Sequence, residues 1–227
     1  MQRIFLSLVV LTALAGGAYF LWSTSSDAEY SQVATSTPQD IKMTTKDAHE
    51  NTSTYTIDVE YPQFGIQSAD AVIKGYVDRA VAAFKSYPSD VPSVDSAPKN
   101  EQDITFEDTY AGSDFVSVAL LVSEYTGGAH PNSAYIGVNV DVRTGKEVTQ
   151  GEALALIGKT LKEVAAKTDA EMRAKLTDAY FEEGAEAKAE NYSTFIIGKD
   201  SVTFIFNSYQ VGPYAAGPQE VSFARVK

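Results

Sequence analysis

The sequence predicts an α+β fold in which antiparallel β-strands form a sheet, two main helices pack on that sheet, and a membrane-anchor helix precedes them. Short segments that alternate apolar and polar residues are separated by tight turns, and strands joined in this way pair antiparallel. Two longer segments repeat apolar residues at helical spacing. Because the strands come in groups and do not alternate with helices, a doubly wound parallel sheet is excluded.

The composition narrows the classes of function. The chain has 227 residues and a net charge of −12, so it can bury a core but disfavours contact with nucleic acid. An acidic surface instead attracts a basic partner. The chain has no cysteine and two histidines, which excludes a disulfide framework, a thiolate metal site and a cysteine nucleophile. We therefore expect neither a metal nor a cofactor.

Residues 1–22 predict a signal or anchor transmembrane helix. The segment from Ile4 to Trp22 carries no charged residue, and at about 1.5 Å per residue it is long enough to cross the hydrocarbon layer. Ala13-Leu14-Ala15 is an alternative cleavage site, which would make the protein secreted. In both cases we expect the rest of the chain outside the cytoplasmic membrane, in the periplasm or at the cell surface. Residues 23–50, rich in Ser and Thr, predict a flexible linker.

Residues 51–112 predict an N-terminal α+β subdomain. Tyr55 to Tyr61 alternates apolar and polar residues, which is typical of a half-buried strand. Ser68 is then expected to cap a helix that ends before Pro88. Its apolar stripe consists of Ala69, Val72, Ile73, Tyr76, Val77, Ala80, Val81 and Phe84. A loop follows, and then a strand from Ile104 to Tyr110 that turns back at residues 111–114.

Residues 113–227 predict a C-terminal subdomain with one helix between two groups of strands. The first group is Phe115 to Tyr125 and Tyr135 to Val142, closed by a turn in which Gly145 takes a positive φ. Thr149 and Glu152 form a capping box for a helix whose apolar stripe continues to Tyr180. The last three strands are Thr194 to Ile197, Val202 to Phe206 and Val221 to Val226.

Two segments of the second half carry a family resemblance. One is Tyr125-Thr-Gly-Gly-Ala-His-Pro-Asn132, which runs on to the Asn139–Lys146 strand and turn, and the other is Phe204 to Pro218. In this order they resemble the extracytoplasmic domain of unknown function shared by PdaC-type peptidoglycan deacetylases and RsiV-type anti-sigma factors. The resemblance covers residues 51–227. It implies a domain outside the cytoplasmic membrane with a binding role, which in the RsiV-type proteins is recognition of lysozyme.

The same resemblance does not extend to deacetylation or to sigma-factor control. His49 and His130 cannot assemble the Asp-His-His metal set of a deacetylase, and the chain has no room for that catalytic domain. The residues before the anchor are too few for a sigma-binding segment. Glu107 and Asp108 are neighbours in a strand and should point to opposite faces, so they do not predict a glycosidase pair.

The candidate ligand-binding surface combines the two motif loops. Its residues are Gly127, Gly128, His130, Asn132, Tyr209, Pro213 and Tyr214. Gly and Pro restrict the loop backbones, and tyrosine supplies rigid contact area with a hydroxyl group. We expect Tyr209 to pack against the sheet, whereas Tyr214 can point either into the core or toward a partner. A structural role for His130 is favoured over general-base catalysis because no nucleophile or orienting carboxylate accompanies it.

These features predict a non-enzymatic binding module tethered to the membrane, which recognises a lysozyme-like muramidase or peptidoglycan. One alternative is an envelope glycan hydrolase or deacetylase-associated domain with His130 in its site. Another is a scaffold that assists a separately encoded enzyme.

Overall fold

The computed structural model describes residues 41–87 and 99–226. The predicted anchor at residues 1–22 and the beginning of the predicted linker lie outside the described residues. Within the described ranges, no helix combines the length and apolar character needed to cross a bilayer.

Residues 44–147 include a six-stranded sheet in which the strands follow their order in the sequence. The strands are β1 (Thr44–Asn51), β2 (Tyr55–Gln63), β3 (Asn100–Ala111), β4 (Phe115–Tyr125), β5 (Asn132–Asp141) and β6 (Lys146–Glu147). All neighbours pair antiparallel except β2 and β3, which pair parallel. The prediction of purely antiparallel strands is therefore wrong at this pair, because helix α1 (Gln67–Lys85) lies between them and lets the chain return in the same direction.

Helix α1 covers one face of this sheet. Its buried residues Ile73, Val77 and Phe84 repeat at helical spacing, as the sequence predicts, and pack on buried strand residues such as Ile104 and Leu120. Ser68 is not the N-cap. Ile66 holds that position without a side-chain hydrogen bond, and α1 begins one residue before Ser68.

The second half contains two more helices, α2 (Gln150–Leu156) and α3 (Leu161–Leu176), where the sequence predicts one. Gly158, at φ +61°, ends the first helix, and Thr160 with Glu163 forms a second capping box that starts the next one. Three 3-10 turns follow, at Thr177–Ala179, Glu182–Ala185 and Ala189–Tyr192.

A three-stranded antiparallel sheet closes the chain. Its strands are β7 (Phe195–Ile197), β8 (Ser201–Phe206) and β9 (Gln219–Ala224). This sheet packs on α2 and α3 around a second apolar core that includes Val164, Met172, Tyr192, Phe204, Phe206 and Phe223.

Strand β7 of the small sheet crosses β5 of the large sheet, on the face opposite α1. Gly137 makes this crossing possible, since a Cβ atom there would lie 2.0 Å from the Phe195 carbonyl oxygen. Next to it, the buried Asn139 side chain donates to the Phe195 carbonyl (2.8 Å) and accepts from the Ile197 amide (3.0 Å). Ser117 donates to Asn139 Oδ1 (2.7 Å) and accepts from the same Ile197 amide (2.9 Å). These polar groups therefore join the two sheets.

Two predicted boundaries differ from the structure. Residues 44–50 belong to β1 and not to a linker, although every residue of β1 except Glu50 is exposed. The polar sequence of this edge strand shows no alternation, which explains why it was missed. The predicted division between residues 112 and 113 falls in the β3–β4 hairpin, and the core against α1 takes residues from both sides of it.

Candidate functional site

The first motif loop joins β4 to β5 and is exposed. Gly127 and Gly128 have φ angles of +98° and +117°, which other residues rarely adopt. The Tyr125 hydroxyl donates to the Gly128 carbonyl oxygen at 3.2 Å and braces the turn. The loop therefore presents His130 at a defined position next to the end of the large sheet.

The second motif loop follows β8 and is held firmly on its inner side. The Gln210 side-chain amide donates to the carbonyl oxygens of Gly184 (3.1 Å) and Asn191 (2.8 Å). The Phe181 amide donates to the Val211 carbonyl at 3.0 Å. Val211 itself is buried in the second core. The loop is therefore anchored to the 3-10 turns, which leaves its outer side free to carry a contact surface.

Three rings from the two loops form one surface, which we call the aromatic surface: His130, Tyr209 and Tyr214. The His130 and Tyr214 rings stack with centroids 3.9 Å apart and planes 16° apart. Tyr209 lies against both, 5.5 Å from Tyr214 and 6.5 Å from His130. Such separations are typical of favourable aromatic pairs.

Hydrogen bonds define the tautomer of His130. Its Nδ1 atom lies 2.8 Å from the Pro131 carbonyl oxygen, which can only accept, so Nδ1 carries the proton in the neutral ring. Nε2 is then the acceptor for the Tyr209 hydroxyl at 3.4 Å. The Tyr214 hydroxyl also donates to the Pro131 carbonyl, at 3.4 Å. Both nitrogens of His130 therefore have partners within the two motif loops, and neither partner is a carboxylate.

The prediction that Tyr209 packs against the sheet is wrong. Its side chain is 54% exposed, and its φ of +69° turns the ring outward from the end of β8. The sequence left open whether Tyr214 points into the core or toward a partner, and the structure shows a position between these two. The residue is half-buried, with its ring against His130 and at the edge of a groove.

A groove of about 270 Å³ runs beside the aromatic surface. Its lining includes Leu121, Ser133, Tyr135, Asn207, Tyr214 and Pro218. Asn207 fixes its shape, because its side-chain oxygen accepts from the Tyr135 amide (2.6 Å) and its side-chain nitrogen donates to the Tyr135 carbonyl (3.2 Å). The groove is thus a rigid cleft between β5 and the second motif loop.

Acidic side chains surround the Tyr135 hydroxyl and a neighbouring position on β9. The Tyr135 hydroxyl donates to Glu107 at 2.8 Å, and burial together with this carboxylate raises the pKa of Tyr135 to about 12. A β-bulge interrupts the β3–β4 register between Glu107 and Thr109, with Asp108 at φ +38°. Partial burial, and then the charges of Asp108 and Glu107, raise the pKa of Glu220 on β9. The bulge interrupts the regular alternation of side chains at Asp108, on which the prediction of opposite faces for Glu107 and Asp108 depended.

The remaining predicted site residues surround the aromatic surface without joining the stack. Pro213 is half-buried and precedes the 3-10 turn Tyr214–Ala216, while Asn132 is exposed at the start of β5. The sequence reasoning missed the role of Asn207, although this residue lies inside the second motif. Its position as a polar residue directly after the apolar strand β8 could have indicated that its side chain bonds to a neighbouring main chain.

The two sheets define an α+β domain that carries the aromatic surface and the groove on its exterior. Among residues 41–87 and 99–226, no three His, Asp or Glu side chains are placed to hold a metal ion. Two family models match consecutive parts of the chain. Residues 48–133 match "Deacetylase PdaC" and residues 146–225 match "Protein of unknown function (DUF3298)". Residues 48–133 are thus similar to the PdaC model, and residues 146–225 are similar to the DUF3298 model.

A curated relative is similar to most of the chain. The chain is 24% identical over 188 residues to the peptidoglycan-N-acetylmuramic acid deacetylase PdaC of Bacillus subtilis (strain 168). The match covers 76% of this chain but 38% of the length of that relative. It carries no evidence on the RsiV-type anti-sigma factors, and that part of the resemblance stays a prediction.

Solved structures show the same fold. A DUF3298 family protein from Pseudomonas aeruginosa PAO1 has a TM-score of 0.56 at 14% identity, covering 82% of this chain and 91% of that one. A DUF3298 family member from Bacteroides fragilis NCTC 9343 has a TM-score of 0.53 at 16% identity, covering 82% and 90%.

Proposed function

We propose that this domain is a non-enzymatic binding module of the cell envelope, and that its ligand is the glycan of peptidoglycan. The observation that carries the proposal is the exposed aromatic surface beside a rigid groove. Flat rings offer a large apolar contact to the faces of sugar rings, and the Tyr209 hydroxyl adds a hydrogen-bonding group. The name of the PdaC relative refers to peptidoglycan, which supports the choice of glycan.

The environment of His130 favours binding over catalysis. In a catalytic triad, a carboxylate bonded to one ring nitrogen stabilises the imidazolium that forms when the other nitrogen takes up the proton. In His130, Nδ1 donates to a main-chain carbonyl and Nε2 faces a tyrosine hydroxyl, so neither partner is a carboxylate. The proposal therefore treats His130 as a stacking residue. It also retains the predicted location, with residues 1–22 as the anchor and the domain outside the cytoplasmic membrane.

A lysozyme-like muramidase is a second candidate partner, favoured by the net charge of −12. Lysozymes are basic, and an acidic module would attract such a protein at long range. Salt screens this attraction, so binding of lysozyme should weaken as the salt concentration rises. Binding of a sugar by stacking on the aromatic rings should depend less on salt.

Substitution of Tyr209 tests the proposed surface. Tyr209→Ala should weaken binding of the full chain to purified peptidoglycan about five- to tenfold, because the most exposed ring of the aromatic surface is removed. Co-sedimentation with peptidoglycan, and a parallel pull-down with lysozyme at low and moderate salt, measure the effect. Tyr87→Ala is the matched control, because Tyr87 is a tyrosine 50% exposed at the end of α1.

The outcomes separate the candidates. Absence of binding to peptidoglycan with retained binding to lysozyme would replace the glycan by the protein partner. A glycan-cleaving activity of the purified chain that is lost in His130→Ala would overturn the non-enzymatic proposal. An equal effect of Tyr87→Ala and Tyr209→Ala would show that the aromatic surface is not the site.

A further inference from the structure

The face of the six-stranded sheet opposite α1 is strongly acidic. In β2, Asp58 lies between Ile57 and Val59, both buried under α1, so its side chain points the other way. In β3, Asp103 lies between the buried residues Gln102 and Ile104 in the same manner. We call this surface the acidic sheet face. Its carboxylates, all exposed, are those of Asp47, Asp58, Glu60, Glu101, Asp103 and Glu107.

The acidic sheet face is continuous with the groove. The strand register aligns one row of residues across five strands: His49, Asp58, Asp103, Ser123 and Ser133. Four strand spacings give this row a length of about 19 Å. The Ser123 and Ser133 hydroxyls are hydrogen-bonded at 2.8 Å, and Ser133 lines the groove beside Tyr214. A linear ligand that enters from the groove would therefore pass hydroxyl groups first and carboxylates next.

Few cations neutralise this face. His49 Nδ1 lies 2.6 Å from Asp58, and Lys99 donates to the Asn51 side chain and the Thr52 carbonyl at its border. In the described part of the chain, no Lys or Arg forms an ion pair with Glu101 or Asp103. These carboxylates are therefore available to a cationic ligand.

We propose that the preferred ligand of this surface is a de-N-acetylated glycan, which places a sugar ring on Tyr209 and ammonium groups on the acidic sheet face. The inference rests on the proposed function and specifies its ligand. Hydrolysis of an N-acetyl group consumes water, releases acetate and leaves a primary amine, which is a cation in its protonated form. Muramic acid keeps its carboxyl group, so a fully acetylated strand is anionic and is repelled by this face.

The shape of the surface favours a polysaccharide over a folded basic protein. Asp58, Asp103 and the two serine hydroxyls follow a line across the strands that leads to a narrow groove, which matches a linear ligand that carries amino groups. An acetylated glycan can use the aromatic surface, but it leaves the carboxylates without a partner.

Two oligosaccharides that differ only in acetylation test the inference. The full chain is titrated with the β-1,4-linked hexamers of glucosamine and of N-acetylglucosamine, with binding followed by calorimetry. We expect the glucosamine hexamer to bind about tenfold more tightly at low salt. The preference should shrink when the salt concentration is raised to about 0.5 M, because these charges are exposed.

Charge-neutral variants locate the effect. Asp58→Asn combined with Asp103→Asn should reduce the preference for glucosamine to about twofold or less, and leave binding of the acetylated hexamer unchanged. The matched control is Asp78→Asn with Glu171→Gln, which removes the same charge from exposed positions on α1 and α3. The control should keep the full preference.

The outcomes of these titrations distinguish failure of the ligand class from failure of the proposed function. Equal binding of the two hexamers overturns the ligand class but leaves the glycan-binding function intact. Failure to bind either hexamer or peptidoglycan overturns both, and binding of lysozyme in the same titration would then assign the acidic sheet face to a basic protein. Loss of preference in the control pair would show that net charge, and not this face, is responsible.

Discussion

At the scale of single residues, the negatively charged carboxylates near the β3 bulge repel one another. Glu220 is exposed at the surface of β9, where partial desolvation and then the charges of Asp108 and Glu107 raise its pKa. A carboxyl group whose pKa is higher in the folded state stabilises the fold when protonated. This contribution is present below the pKa of the unfolded chain and is lost as the pH rises through the folded pKa. At neutral pH the ionised Glu220 therefore destabilises the protein.

Glu220→Gln should raise the free energy of unfolding near pH 7 by about 0.3–0.5 kcal/mol, a modest value because the side chain is largely exposed. Near pH 3 the wild type and the variant should be equally stable. Thermal unfolding followed by circular dichroism at both pH values measures this difference. A variant less stable than the wild type at neutral pH would contradict the assignment.

The residue scale also shows why the exposure of Tyr209 could not be predicted. A tyrosine that follows an apolar strand usually packs on it, and the sequence pattern contains no sign of a positive φ. The structure places Tyr209 in the left-handed region, which rotates the ring to the surface. The proximity of His130 and Tyr214, in contrast, agrees with the choice of both loops as one candidate surface.

At the scale of elements, the crossing of β7 over β5 depends on the absence of a side chain at Gly137. Gly137→Ala should destabilise the protein by about 2–3 kcal/mol, because the added methyl group would overlap the Phe195 main chain. Urea unfolding of both proteins measures the change.

Gly151→Ala in α2 is the control. Its added methyl group meets no atom within 4 Å and improves helix propensity, so it should be neutral or slightly stabilising. Equal stability of Gly137→Ala and the wild type would show that the two strands are not in close contact.

Helix caps and turns that depend on adjacent residues were predicted from the sequence, whereas pairings between distant segments were not. The Thr149 capping box and the turn at Gly145 were confirmed, because each depends on a few adjacent residues. The break at Gly158 was missed, since the apolar stripe continued beyond it, although Thr160 and Glu163 repeated the capping signal. The parallel pairing of β2 with β3 joins segments on either side of α1, and no local pattern encodes such a partner.

At the scale of the whole molecule, one partly buried ion pair ties the C-terminus to the large sheet. Arg225, just after β9, donates to Asp114 in the β3–β4 turn at 2.6 Å and to the Gly198 carbonyl at 3.1 Å. Burial alone would raise the pKa of Asp114, but the hydrogen bonds from Arg225 and Tyr110 outweigh it and lower the pKa. The pair therefore stabilises the contact between the two halves of the chain.

Asp114→Asn should lower the free energy of unfolding by about 1–2 kcal/mol at neutral pH, since it removes a charge-assisted hydrogen bond. A depressed carboxyl pKa gives stability that is present above the unfolded pKa and lost as the pH falls through the folded one. The difference should thus disappear in acid. Thermal unfolding between about pH 7 and pH 2 measures it, with exposed Asp78→Asn as a control.

The two family matches divide the chain after the start of β5 and not at the predicted subdomain boundary. The PdaC match at residues 48–133 lies within the large sheet and α1, whereas the DUF3298 match at residues 146–225 covers β6, α2, α3 and the small sheet. The sequence predicted the α+β class and most strands. The sequence could not predict this division. The turn at residues 111–114 resembles a boundary between subdomains, but the strands on both sides of it contribute to the same core under α1.

The order of strands in the large sheet has a consequence for how the protein acquires its structure. Every strand pairs with its neighbour along the chain, so each pairing closes a modest loop and the entropy lost at each step is small. The core under α1 takes its buried residues from positions 57–140 and requires none from later in the chain. We therefore expect the six-stranded sheet and α1 to fold first, while the chain leaves the ribosome. Ser117 and Asn139 would then already be in position to bind β7.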